Sequence, residues 1–281
     1  MSADARTSIL KPMSVAGNPD APVDTRPSKF RRPHVTVRGL TKRFDDRTIY
    51  EKFDLDLPRG QFVSIFGPNG CGKSTLMNMI AGLIPVDEGQ ILFDGQTIDE
   101  IRFGYVFQNY RDALFPWISA WDNIAYPLRF MKVPKAERNR RVDALVKKFD
   151  VRINLKQYPY QMSGGQQQLV SILRALVVDP EILFLDEPFS ALDYEMTLFM
   201  RDQMQRMFQE TGTTTIIVSH DLDEAVYLAD RILLLSRAPA KVVDFPIVDV
   251  PRPRNALTLA DPEFNRVKGH CLEIFQQQVR K

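Results

Sequence analysis

The chain is short of cysteine, of net charge and of long apolar runs, and each shortage excludes a class of protein. Two cysteines in 281 residues, Cys71 and Cys271, cannot build a disulfide framework, which fits a reducing compartment. Lys and Arg number 37 against 35 Asp and Glu, a net charge of +2. Such a balance sets up no strong field toward nucleic acid, and no nucleic-acid partner is expected. No apolar run approaches the ~18–20 residues that cross a bilayer. The opening MSADARTSILKPMSV has no apolar stretch of the secretory kind. A cytosolic chain is expected, with any membrane role exercised through a partner. What is present is ordinary for a globular protein: 44% hydrophobic and 26% charged residues, enough for one large domain with a sizeable core.

Residues 1–34 read as a disordered tail, because Pro12, Pro19, Pro22, Pro27 and Pro33 punctuate a stretch without periodicity. Its Lys29, Arg31 and Arg32 read as solvated linker charges. From His34 the pattern changes. His34–Val37 and Phe53–Leu57 alternate like half-exposed strands, and Phe62–Phe66 is a short apolar run like a buried one. Leu76, Met79, Ile80 and Leu83 have helical spacing, with Gly82 near the stop. Ile91–Phe93 reads as a strand before an Asp94-Gly95 turn.

About Asp112 to Pro159 reads as mostly helical, with Val142, Leu145, Val146 and Phe149 on one face. Phe103–Phe107, Ile182–Leu185, Thr213–Val218 and Ile232–Leu235 are further strands, and Asp221–Ala229 is a helix. Met196, Phe199, Met200, Met204, Met207 and Phe208 form a helical stripe read as core packing. Asp261-Pro262 opens a last helix with Phe264, Val267, Cys271 and Phe275 inward. Strands alternating with helices imply an α/β fold around a mainly parallel sheet.

Between the Phe62–Phe66 strand and the helix that follows, Gly67-Pro68-Asn69-Gly70-Cys71-Gly72-Lys73-Ser74 fits G-x-x-x-x-G-K-[ST], and Thr75 continues it. Glycines there let backbone N–H groups curl around phosphate oxygens, and the helix N-terminus adds positive potential. Lys73 can reach the β- and γ-phosphates, and the Ser74 hydroxyl can ligate Mg²⁺. Downstream, the strand Ile182–Leu185 runs into Asp186 and Glu187. The first acid suits a Mg²⁺ held through water, and the second suits orienting or deprotonating a nucleophilic water. Together these motifs point to nucleotide hydrolysis.

More residues fall into place than a generic phosphate-loop protein requires. Met162-Ser163-Gly164-Gly165-Gln166 resembles the signature motif of the ABC-transporter ATPases, and Ser163 lies 23 positions before Asp186, in the family's order. Gln108 resembles the Q-loop glutamine, which touches Mg²⁺. Ser190-Ala191-Leu192-Asp193 resembles the D-loop, and His220 the switch histidine at the γ-phosphate. Phe44, 29 positions before Lys73, stands where the family stacks an aromatic on adenine, with Tyr50 as competitor. The resemblance covers about Val35 to Leu235. It departs at Leu169, where the family usually has Arg, at Met162 for Leu, and at Tyr160 where His is common.

The resemblance implies a phosphate-loop core with an antiparallel β subdomain and an inserted α-helical subdomain at about residues 110–165. It bounds the ATPase domain at 35–236, leaving 237–281 as a C-terminal extension. ATP and Mg²⁺ are the implied cofactors, with Ser74, Gln108 and Asp186 toward the metal, Glu187 as general base and His220 at the γ-phosphate. Ser163–Gln166 would bind the ATP held by a second copy, and Asp193 would link the two sites of a head-to-tail dimer. Transmembrane permease subunits, and indirectly a substrate-binding protein, are the other implied partners. They would place the chain at the cytoplasmic face of the membrane, gripped through the segment with Phe115-Pro116-Trp117.

Asn109–Trp117 with Asp122-Asn123-Ile124, and Val250–Arg254 with Asp261–Phe264, resemble the nitrate/sulfonate/taurine importer group. The long regulatory domain of sugar-importer ATPases is not expected. An ATPase for an exporter or lipid-transport complex shares the same energy-coupling residues. A non-transport ABC ATPase usually carries coiled-coil inserts or tandem cassettes, and neither is seen in the sequence.

Overall fold

The computed structural model describes residues 33–109, 113–190 and 192–280. Residues 1–32 of the expected tail, Tyr110, Arg111 and Asp112 of the importer-like tract, and Ala191 of the D-loop lie outside them. Along the chain run strands β1 (Pro33–Phe44), β2 (Arg47–Pro58) and β3 (Phe62–Phe66), helix α1 (Lys73–Ile80), and strands β4 (Glu88–Phe93) and β5 (Phe103–Val106). Helices α2 (Ala120–Phe130), α3 (Lys135–Lys148) and α4 (Gly164–Leu176) follow. Then come β6 (Ile182–Asp186), α5 (Tyr194–Thr211), β7 (Thr214–Val218), α6 (Leu222–Leu228), β8 (Arg231–Leu235), β9 (Val242–Asp244) and α7 (Pro262–Arg280).

Six strands form one sheet in the order β5-β6-β7-β3-β8-β9, parallel except for the antiparallel edge strand β9. Every residue of β3, β6 and β7 is buried, because a parallel sheet is covered on both faces and its strands read as unbroken apolar runs. Alternate residues serve two cores. Phe62, Phe66, Leu183, Leu185 and Ile217 face α4 to α7 and the helical segment; Val63, Ile65, Phe184, Ile216 and Val218 face α1 and the second sheet. That second sheet is antiparallel, in the order β2-β1-β4.

Four expectations change. Pro33 belongs to β1 rather than to the tail, and His34, placed by the sequence both at the end of the tail and at the start of a strand, lies in β1, fully buried with Nδ1 2.9 Å from Asp94. The alternating stretches are pieces of 12-residue strands; register shifts between Val37 and Leu40 and again to Lys42 and Arg43 break the period-2 signal along β1. The helical segment is two separate helices, divided at Lys132, which takes a left-handed φ of 57°, and Pro134. Phe199 is 43% exposed rather than in the core, while Met200, Met204, Met207 and Phe208 are buried as expected.

The final helix buries Phe264, Val267 and Cys271, with Phe275 packed on Phe66 at 5.2 Å between centroids. Before it, the Val250–Arg254 tract folds back against α6. The Arg254 guanidinium is 2% exposed and donates to five carbonyls, those of Val226, Tyr227, Ala229, Val248 and Val250. Three of these belong to the C-terminal end of α6, where unpaired carbonyls call for a cation.

Candidate functional site

The carboxyl ends of β3, β6 and β7 meet at one edge of the parallel sheet, where an α/β fold leaves a crevice. From β3 the chain turns through Gly67–Gly72 into α1. Gly72 caps that helix at φ 109°, and a Cβ there would stand 2.5 Å from Ile49 Cγ2, so only glycine fits. Lys73 is buried, and its ammonium donates to the Gly67 carbonyl at 2.9 Å and to that of Pro68 at 3.1 Å, holding the loop open around the α1 N-terminus. Cys71 is packed beneath; burial pushes its thiol up, against the pull of Lys73, so it stays a neutral spacer.

Ser74, on the first turn of α1, donates to Asp186 Oδ1 at 3.0 Å across the crevice. Asp186 is nearly buried, and burial followed by the neighbouring Glu187 charge raises its carboxyl above the ordinary value, despite the bond from Ser74. Glu187 leaves β6 with a left-handed φ of 43°, and its amide donates to Val218 O of β7 at 3.0 Å. That turn throws its side chain over the crevice. Its Oε2 accepts from Gln108 Nε2 at 2.9 Å and lies 3.4 Å from His220 Nδ1. Thus the segments that follow β5 and β7 each bring one polar side chain to a single carboxylate oxygen of Glu187, which follows β6, beside the Lys73–Ser74–Asp186 group.

The oxygens of Ser74 and Asp186 with the amide of Gln108 make a hard donor set suited to Mg²⁺. Among the described residues no group of three or more His, Cys, Asp or Glu is arranged to hold a metal, so such an ion would lean on phosphate oxygens as well. The Gly67–Gly72 cradle and α1 N-terminus fit a polyphosphate. Thr75 follows on the same turn of α1.

Phe44 and Tyr50 part company. Tyr50 is fully buried and its hydroxyl donates to Gly72 O at 2.9 Å, so it buttresses the loop and offers no free face. Phe44 is 43% exposed at the β1–β2 turn, with Lys42 Nζ 5.1 Å from its ring. The same turn reaches the loop through Arg47, which donates to Gly70 O at 3.0 Å.

The serine-glycine motif opens α4. Ser163 caps it in a reciprocal box: Gln166 N donates to Ser163 Oγ at 3.3 Å, and Ser163 N to Gln166 Oε1 at 3.0 Å. Gly165 packs on Met196 with no room for a Cβ. Ser163 is exposed and Gln166 half-exposed, so this edge faces outward rather than into its own chain's phosphate loop. Asp193 caps α5 by accepting from Met196 N at 2.8 Å. Leu169 is buried on the α4 face beside Met196 and Phe199, where it lines a cavity of about 570 Å³.

Sequence reasoning missed Tyr105. Its ring stacks on Phe184 and its hydroxyl donates to Asn78 Oδ1 at 2.6 Å, while burial and the adjacent Asp186 charge push its phenol up. Tyr105 and Asn78 reach this neighbourhood only through the tertiary fold, and no local pattern marks them.

Near Gln108, Trp117 is 72% exposed, but Phe115 is half-buried, with centroids 4.5 Å from Tyr126 and the Arg174 guanidinium 5.8 Å above its ring. The expected aromatic grip is therefore divided: Trp117 is mostly exposed, with its ring centroid 5.5 Å from that of Phe115, and Phe115 forms the wall of a groove of about 330 Å³ with Phe107 and Tyr126.

Fold and site together define a phosphate-loop nucleotide-binding cassette with an antiparallel β subdomain. The family model described as ABC transporter matches residues 50–190, and the chain belongs to that family. It is 38% identical to a spermidine/putrescine import ATP-binding protein of Marinobacter nauticus, over 80% of this chain and 61% of that one. It is also 38% identical to an sn-glycerol-3-phosphate import ATP-binding protein of Rhizobium johnstonii, over 75% and 58%. The chain thus spans about three-fifths of the length of these relatives. Among solved structures, a dimeric bacterial ABC transporter cassette matches with TM-score 0.67 and 29% identity, over 77% of this chain and 100% of that one. A chain named cbiO1 from Clostridium perfringens, part of the ABC transporter complex cbiONQ, matches with TM-score 0.71 and 26% identity, over 87% and 98%.

Proposed function

We propose that this chain is the ATP-hydrolysing subunit that powers an ABC importer, bound to the cytoplasmic face of the membrane through permease subunits. The observation that carries the reading is the convergence of Gln108 and His220 on Glu187 Oε2 beside the Lys73–Ser74–Asp186 group. In-line attack of water on a γ-phosphate needs positioning and charge neutralisation more than covalent chemistry. Lys73 and the loop amides bind the β- and γ-phosphates. Glu187 takes the proton of the attacking water, and Gln108 fixes the carboxylate that receives it. His220, beside the same oxygen, steadies the γ-phosphate. Mg²⁺, when bound by Ser74, Gln108 and Asp186, supplies charge to the phosphate oxygens.

The outward-facing Ser163–Gln166 edge supports a head-to-tail pair in which each copy closes the other's site and Asp193 joins the two. ATP then acts as a ligand that favours the closed pair. No helix among the described residues is long and apolar enough to cross a membrane, in keeping with attachment through a permease at Trp117 and the groove beside it. For the cargo we favour a small anion of the nitrate/sulfonate/taurine kind, on the strength of the Asn109–Trp117 and Val250–Arg254 tracts. Import proteins similar to it are named for spermidine/putrescine and sn-glycerol 3-phosphate, so the cargo rests on those tracts alone. A substrate-binding protein is the expected distal partner. Phosphate release by the purified chain, abolished in Lys73→Ala, tests the enzymatic half. Reconstitution with its permease, measuring uptake of taurine against putrescine, tests the rest; uptake of putrescine alone would refute the anion assignment.

A further inference from the structure

His220 sits between two residues that are tied into a charged cluster outside the phosphate crevice, buried at Ser219, Arg201 and Glu224 while the Asp221 side chain stays 47% exposed. Ser219, fully buried, donates through Oγ to the Glu224 carboxylate and accepts from Asp221 N at 3.0 Å. Asp221 caps α6, its Oδ1 accepting from Asp223 N at 2.8 Å and Glu224 N at 3.2 Å. Arg201, projecting from the middle of α5, places Nη2 3.5 Å from Asp221 and 3.6 Å from Glu224. Arg201 is 9% and Glu224 5% exposed. Burial raises the Glu224 carboxyl above its ordinary value, opposed by Ser219 and by Arg201.

Taking an arginine and a glutamate out of water carries a large desolvation cost, and apolar side chains of like volume would fill the space without it. What the pair adds is direction. A charged, hydrogen-bonded cluster has few alternative arrangements, and it grips both neighbours of one histidine. It also joins that segment to α5, the helix that begins at Asp193.

We infer that Arg201 and Glu224 are positioning residues for the hydrolytic site, holding the Ser219–Asp221 segment so that His220 stays at the Glu187 carboxylate and moves with the Asp193 helix. This rests on the ATPase reading above. Neither residue touches the phosphate loop; they act through His220. Loss of the pair therefore lowers turnover while leaving nucleotide binding to Lys73 and the loop unchanged.

The test separates positioning from stability in the full-length chain. Arg201→Met alone strands the buried Glu224 charge, and Glu224→Met alone leaves the buried Arg201 only the exposed Asp221 as partner; both lower Tm. The double variant Arg201→Met with Glu224→Met removes both charges and regains Tm. Its kcat for phosphate release stays about tenfold low, with KM for Mg-ATP within about twofold of wild type, tenfold being ~1.4 kcal/mol in the barrier. Glu224→Gln keeps shape and loses only the charge opposite Arg201; it shows the same split should the double variant not fold. A stable double variant, or Glu224→Gln, with wild-type kcat overturns the inference, provided His220→Ala is inactive. His220→Ala at wild-type rate overturns the role of His220 and this inference with it, whereas a wild-type chain without ATPase activity refutes the functional reading itself.

Discussion

Glu187→Gln isolates the proposed base from everything that holds it. The wild-type carboxylate uses one oxygen, Oε2, to accept from Gln108 at 2.9 Å and to face His220 at 3.4 Å. Gln has the same volume and keeps a side-chain oxygen that can accept from Gln108. The backbone turn at φ 43° and the amide bond to Val218 O do not depend on the side chain. Folding stability should therefore move by no more than ~1 kcal/mol, the net value of one hydrogen bond. Turnover is different. An amide cannot take the proton of the attacking water, and a positioned base contributes roughly 10²–10⁴-fold, or ~2.7–5.4 kcal/mol of barrier. ATP affinity should stay the same, since the proposed phosphate contacts lie with Lys73 and the loop amides. Phosphate release at saturating Mg-ATP, equilibrium nucleotide binding and size-exclusion chromatography with ATP read the three quantities separately. The expected variant binds ATP normally, hydrolyses it at least about a hundredfold more slowly, and accumulates as an ATP-bound pair. Hydrolysis at wild-type rate would refute the base assignment; loss of ATP binding would show that Glu187 holds the site together instead.

Phe44→Ala should raise KM for ATP by about twofold to thirteenfold, the ~0.5–1.5 kcal/mol of an aromatic stack, and Phe44→Trp should restore it; equal KM values would remove Phe44 from the adenine site. Trp117→Ala should weaken copurification with the permease while nucleotide affinity is kept. Phe115→Ala should do so only alongside a fall in Tm, because it removes the wall against Tyr126 and Arg174. Arg254→Met leaves five buried carbonyls without their donor, at a cost of about 3 kcal/mol or more, so Tm by circular dichroism should fall by roughly 6–12 °C. An unchanged Tm would mean that water replaces the guanidinium.

The parallel sheet was legible because burial on both faces turns β3, β6 and β7 into runs that need no partner to be read. The antiparallel hairpin was only half legible: its charged Lys42 and Arg43 lie where register shifts interrupt the alternation, so the run from Leu40 to Phe44 looks like loop. Where the mostly helical segment breaks was not legible, because Lys135–Lys148 is charged on most faces, with Val142 its one fully buried position. The Val250–Arg254 tract read as a subgroup trait. Its physical work, one guanidinium gathering carbonyls from α6 and from its own turn, joins residues up to 28 positions apart, and no motif encodes that.

The candidate site divides in the same way. Lys73, Ser74, Asp186 and Glu187 were readable because phosphate chemistry dictates residue types at fixed spacing along one loop and one strand end. Tyr105, Asn78, Arg201 and Glu224 were not, since each acts through a neighbour that only the fold supplies. Ser163 marks the boundary between the two kinds. Its side chain is already engaged by Gln166 N in capping α4, so it offers a nucleotide the edge of a finished helix N-terminus rather than a loop that must reorganise. An exposed, preformed edge of that kind has an unused anion-binding face within its own chain. On the proposed function, the chemistry at Glu187 would depend on docking that edge against a second copy's triphosphate, which makes the quantity to measure the dependence of hydrolysis on protein concentration: specific activity should rise as the chains pair and level off when pairing is complete, and a specific activity constant from nanomolar to micromolar chain would mean that one copy works alone.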